Sequence, residues 1–158
     1  MLKKYTTKNY KQTQKLGQDF ALVIARSVAT KQSKTAVVIA LHGNLGGGKT
    51  TFLQGFAKGL GIKEKILSPT FIIYRKFCIP KNGRSSILTN KRLFHFDCYR
   101  INKSEEILEL GFKEIISNPE NIVAIEWPEK IKKYLPKNFI KINFTFVDEK
   151  TREINIKT

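Results

Sequence analysis

The sequence predicts an α/β protein of three layers, with a mostly parallel central sheet and a C-terminal hairpin. Three observations lead there. Short apolar runs of strand type alternate with segments of helical periodicity. A glycine-rich loop separates the first clear run from the next helix. Near the C-terminus, two strand-like runs flank Asp148-Glu149-Lys150, a turn composition.

The first helix is expected over residues 13–30, where Leu16, Phe20, Val23, Ile24 and Val28 recur on one face. Residues 35–41 form a nearly continuous apolar run that ends at Gly43, as in a strand buried on both faces. A second helix starts inside the glycine loop and runs to about Leu60, burying Phe52, Leu53 and Phe56, with Gly59 or Gly61 ending it. Residues 71–77 and 93–97 read as strands, and Pro80 with Asn82-Gly83 marks an exposed turn between them. Ser104 is placed to cap a helix reaching about Ile116, with Glu105 and Glu106 in its favourable first turn. Residues 121–126 form another buried strand, and Pro128 opens a short segment after it. Residues 139–147 and 152–156 make the terminal hairpin.

At 158 residues the length suits one domain, spanning 1–158, able to bury a core without disulfides or a structural metal. Cys78 and Cys98 belong to no C-x-x-C pair and have no nearby His pair, which argues against a zinc site and suits a reducing compartment. The N-terminus lacks the apolar run of a signal peptide, and no apolar stretch is long enough to span a bilayer. The expected location is therefore cytoplasmic, with no membrane partner. The net charge of +16 favours anionic partners. Because lysines are spread along the whole chain, that charge fits a nucleic-acid surface and a compositional habit equally well.

The segment Gly43-Asn44-Leu45-Gly46-Gly47-Gly48-Lys49-Thr50 matches G-x-x-x-x-G-K-[ST] completely. Glycines let the backbone curl so that successive N–H groups point at phosphate oxygens. Lys49 adds a mobile cation, the following helix adds its positive end, and the Thr50 hydroxyl suits magnesium. With a strand before it and a helix after it, the motif specifies a P-loop NTPase fold and an ATPase using ATP and Mg2+. Such a site needs a carboxylate at the end of a neighbouring buried strand. Glu126 ends Ile122-Val123-Ala124-Ile125 and Asp97 ends Leu93-Phe94-His95-Phe96, and their spacing does not choose between them. His42 and His95, both inside strand-like runs, read as structural, and Trp127 taken alone reads as core.

Beyond the loop come Ser68-Pro69-Thr70-Phe71, His95-Phe96-Asp97-Cys98-Tyr99-Arg100, Glu109-Leu110-Gly111 and Glu126-Trp127-Pro128-Glu129-Lys130, in that order. With these blocks the chain resembles the TsaE (YjeE) family of bacterial ATPases in tRNA threonylcarbamoyladenosine biosynthesis, from about Thr13 to the terminal hairpin. The resemblance implies that Thr50 and Glu126 serve magnesium and that Asp97 and Lys49 serve catalysis. It puts the nucleotide against Thr13, the loop from Gly43 through Thr51, Ser68, Thr70 and Trp127, with Ser68 and Thr70 on a loop that could sense the terminal phosphate. It also implies TsaD and TsaB as partners and tRNA as an indirect one. Gly47 stands where the family usually has alanine and Cys98 where leucine is common, and the 79–91 connection looks longer than typical.

Two other readings compete. A small-metabolite P-loop kinase would need an acceptor pocket and an arginine-rich lid, for which Arg75, Arg84 and Arg92 are the only candidates. An RNA-binding module driven by charge alone would leave the intact loop without a role.

Overall fold

The structure is a computed structural model that describes residues 2–30, 34–68, 73–80 and 91–158. In chain order the strands are β1 (Leu2–Thr7), β2 (Val37–His42), β3 (Tyr74–Cys78), β4 (Arg92–Asp97), β5 (Asn121–Glu126), β6 (Ile140–Phe146) and β7 (Arg152–Lys157). The helices are α1 (Tyr10–Thr30), α2 (Lys49–Gly59), α3 (Glu106–Glu109) and α4 (Phe112–Ser117), and a kinked 3-10 segment covers Pro128–Tyr134. One sheet runs in the order β1-β7-β6-β2-β5-β4-β3. Its four central strands β6, β2, β5 and β4 are mutually parallel, and the flanking pairs are antiparallel.

Side-chain alternation gives the sheet two apolar faces, and each is covered. On one face Ile39, Leu41, Ala124 and Ile142 pack with Phe20 and Ile24 of α1 and with Phe52, Leu53 and Phe56 of α2. On the other, Val38, Phe94, Phe96, Val123 and Ile125 meet Ile107, Phe112 and Ile131. β5 is buried along its whole length, as its unbroken apolar run requires. Cys98 lies in the second cluster, where burial first, and then the charges of Asp97 and Glu129, push its thiol up to about 12.

Glycines let α1 and α2 approach closely. A Cβ on Gly17 would lie 2.1 Å from the Phe52 carbonyl oxygen, and one on Gly55 would lie 1.8 Å from that of Gln14. Both obstacles are backbone, so neither can yield by a rotamer change. Gly55→Ala should therefore destabilise the fold by about 2–3 kcal/mol, although alanine is the better helix former. Urea unfolding checks this, and a neutral or stabilising result would contradict the helix contact.

Several boundaries differ from the sequence reading. The strand β1 was not anticipated; its residues are mostly exposed, and it exists by pairing antiparallel with β7. Helix α1 begins a turn before Thr13 because the Asn9 side chain accepts the Gln12 amide at 2.9 Å and caps it. The helix expected from Ser104 to Ile116 is two short ones. Gly111, at φ 70°, turns the chain between them, and Ser104 is not the cap. Glu106 instead accepts the amides of Asn102 and Lys103 ahead of α3. The hairpin is as expected, its turn held by the Asp148 carboxylate accepting the amides of Lys150 and Thr151. Residues 71 and 72 of one expected strand, and the Asn82-Gly83 turn, lie outside the described residues.

Candidate active site

The site forms where β2, β5 and β4 end at the same edge of the sheet, the usual place for a ligand in a parallel α/β fold. From β2 the chain enters the loop. Gly43 has φ 136°, and a Cβ there would stand 2.4 Å from the Phe144 carbonyl oxygen of β6. Gly48 precedes α2 at φ 97°, a left-handed conformation that aims the first amides of the helix outward. These two glycines are thus demanded by space and by backbone geometry. Gly47 has no positive φ, and a Cβ there would lie 3.0 Å from the Asn44 carbonyl oxygen, a tight fit but not a forbidden one.

Lys49 is the first residue of α2 and is 5% exposed. Its ammonium donates to the carbonyls of Gly43 at 2.6 Å and Asn44 at 3.0 Å, and it lies 4.3 Å from the centre of the Trp127 ring. Burial draws its pKa below the ordinary lysine value, against the opposing pull of Glu126, Asp97 and Glu129. Thr50 donates its hydroxyl to Glu126, 3.0 Å from Oε1 and 3.3 Å from Oε2. The same Oε1 lies 3.0 Å from His95 Nε2.

Asp97 is beside Glu126 in register on the adjacent strand. Ser68 donates its hydroxyl to Asp97 Oδ2, and the Tyr99 amide donates to Oδ1 at 3.1 Å. Trp127 follows Glu126 at φ 58°, the one residue other than glycine with positive φ among those described. Its ring packs 5.1 Å from that of Tyr99. A bulky residue held there is strained, and strain of this kind collects at functional sites.

These groups open onto one cavity of about 730 Å³. Leu45 through Thr51 line it, together with Ser68, Asp97, Glu126 and Trp127. Thr13 lines it too, 2% exposed, its hydroxyl 2.8 Å from that of Thr7. Chemically, the cavity combines outward amides and a cation at one helix start with two carboxylates close by. That suits a polyanion carrying a hard cation.

Comparison with known proteins identifies the family. The family profile described as threonylcarbamoyl adenosine biosynthesis protein TsaE matches residues 7–154. The chain belongs to the TsaE family. Among its relatives, the tRNA threonylcarbamoyladenosine biosynthesis protein TsaE of Rickettsia typhi is 34% identical over 92% of this chain and 90% of its own. The protein of the same name from a Nostoc species is 40% identical over 75% of this chain and 68% of its own. The one from Haemophilus influenzae is 30% identical over 85% and 77%. The crystal structure of Bacillus subtilis YdiB superposes with a TM-score of 0.71 at 28% identity, covering 99% of this chain and 84% of that one.

Most residues that the TsaE resemblance singled out meet at this cavity. Gly43 and Asn44 do not line it; they reach it through the carbonyls that hold Lys49. Thr70 lies outside the described residues. The structure adds Asn9, Tyr10, Lys150 and Arg152 to the lining. Arg152 donates from Nε to the Gly46 carbonyl at 2.9 Å and so clips the terminal hairpin to the TsaE loop. Nothing local marked Arg152, because its neighbour in space is 106 residues away in sequence. No helix among the described residues is long and apolar enough to cross a membrane.

Proposed function

We propose that this TsaE-family chain is a magnesium-dependent ATPase acting as the accessory subunit of the tRNA threonylcarbamoyladenosine assembly, with TsaD and TsaB as partners and tRNA reached through them. The observation that carries the reading is the convergence of Lys49 and Thr50 from α2, Asp97 from β4 and Glu126 from β5 on one cavity. Family membership supplies the pathway.

The residues fit both groups. A Cβ on Gly46 would meet nothing within 4 Å, so the loop borders open space there, and the Thr50 hydroxyl beside the Glu126 carboxylate is a hard-oxygen donor set. No cluster of three or more His, Cys, Asp or Glu side chains forms a metal cage among the described residues. A magnesium ion held by one or two protein oxygens together with substrate phosphate needs no such cage. When bound, the ion neutralises charge on the phosphates.

In hydrolysis a water oxygen bonds the terminal phosphorus, the bond to the bridging oxygen breaks, and ADP leaves with phosphate and a proton. Asp97 would hold that water, once Ser68 turns from it toward the terminal phosphate. Lys49 would leave its loop carbonyls for the phosphates. Glu126 would stay beside Thr50.

The test is turnover of the purified chain with ATP and magnesium, alone and with TsaD and TsaB. Slow hydrolysis alone is expected, with affinity for TsaD–TsaB that differs between ATP-like and ADP states. Stoichiometric phosphoryl transfer to a small metabolite, without nucleotide-dependent contact to TsaD–TsaB, would replace this reading with a kinase. If the +16 charge docks tRNA, binding by the assembled complex falls steeply with salt.

A further inference from the structure

We propose that His95 is a positioning residue, tethering the Glu126 carboxylate beside Thr50 and keeping it from pairing with Lys49. The proposal rests on the magnesium reading above for its consequence, though not for its geometry.

His95 sits at the centre of β4, in register with Ala124, and is 0% exposed. It shares a sheet face with Leu93, and that face is otherwise apolar there, with Ala124 and Phe77 in the same cluster. An aliphatic side chain would fill such a place at lower desolvation cost, so an imidazole here needs a specific partner. It has one: Nε2 lies 3.0 Å from Glu126 Oε1. A carboxylate oxygen accepts, so Nε2 is the protonated nitrogen. Nδ1 is buried with no hydrogen-bond partner among the described residues. The ring is thus anchored by packing, and among the described residues its single polar contact goes to Glu126.

Glu126 needs the tether. It is 3% exposed, and its side-chain donors are His95 and the Thr50 hydroxyl. Of the carboxylates acting on Lys49, Glu126 acts most strongly, yet the ammonium bonds loop carbonyls and not Glu126. A freed Glu126 would close that gap. Its charge would then be spent on the cation that the phosphates need, and Thr50 would lose its carboxylate neighbour. Groups that orient a metal-supporting carboxylate typically matter by 10–100-fold in metal affinity.

Two measurements test the idea. In the nucleotide-free protein, 15N NMR of the imidazole, assigned by loss of its signals in His95→Gln, should show Nε2 protonated. A bare Nε2 overturns the tether. Separately, calorimetric titration of ADP at stepped magnesium concentrations reads the consequence. His95→Leu should raise the magnesium needed for half-maximal binding about 10-fold, and weaken ADP binding in EDTA by a smaller factor as Glu126 draws on Lys49. His95→Gln, whose amide N–H reaches a similar point, should stay within about threefold of wild type. Equal shifts in both variants, or none in His95→Leu, overturn the proposal. If the wild type shows no magnesium dependence, the ATPase reading falls, and the NMR result still decides the tether. The same NMR result decides the matter if His95→Leu does not fold.

Discussion

Lys49→Ala is expected to lower ATP hydrolysis by about 10³-fold while leaving the fold in place. Under the proposed function the lost ammonium is an electrostatic partner of the transferring phosphoryl group, and at 5% exposure it is largely withdrawn from solvent. Removing one such preorganised donor from an enzyme site costs about 10²–10³ in turnover. The fold should tolerate the change because two effects offset. The Gly43 and Asn44 carbonyls lose a donor, but a largely buried cation that bonds no carboxylate also disappears. Steady-state phosphate release reads the first effect, and thermal unfolding without nucleotide reads the second. Hydrolysis within threefold of wild type would remove the basis for the ATPase assignment.

The second large effect separates the two carboxylates. Glu126→Gln should weaken magnesium-dependent nucleotide binding by up to about 100-fold, since the neutral amide keeps the shape but loses the charge beside Thr50. Asp97→Asn should leave affinity within about threefold and slow turnover by about 10²–10⁴, the range expected for a group that positions or deprotonates a nucleophile. Binding titrations and single-turnover hydrolysis on both variants give a crossed pattern that no general destabilisation imitates. The reversed pattern, with Asp97→Asn losing magnesium dependence and Glu126→Gln binding normally, would exchange their roles.

The resting contacts bear on how partners could act. Asp97 is engaged by the Ser68 hydroxyl and the Tyr99 amide, and Lys49 is held by its own loop under Trp127. Each must change partner before it can serve a phosphate. Ser68 and Tyr99 line the cavity, so a partner that rearranges either could alter turnover without touching the nucleotide. This gives a physical route for coupling to TsaD–TsaB under the proposed function.

The sequence by itself determined what depends on neighbouring residues. The glycine loop was legible because positive-φ glycines, a lysine and a threonine at one helix start act within eight consecutive positions. The buried strands were legible from unbroken apolar runs, as β5 shows, and the hairpin turn from an aspartate that caps its own backbone. Local pattern failed where pairing or packing overrides it. The mostly exposed β1 takes its form from β7, and the expected helix after Ser104 divides at Gly111.

Family resemblance aside, only the tertiary structure decided which carboxylate stands beside Thr50. On the residues alone, Asp97 and Glu126 were equivalent, each ending an apolar strand. The order β2-β5-β4 places β5 next to the loop strand, with Glu126 in register with Leu41, and leaves Asp97 one strand further out. It also turned His95 from a core residue into the partner of Glu126, and brought Arg152 to Gly46. A contiguous motif carries its geometry in its own dihedral angles. A site assembled from the ends of separate strands has its geometry set by the order in which the sheet pairs them, and that order comes from burying both faces at once.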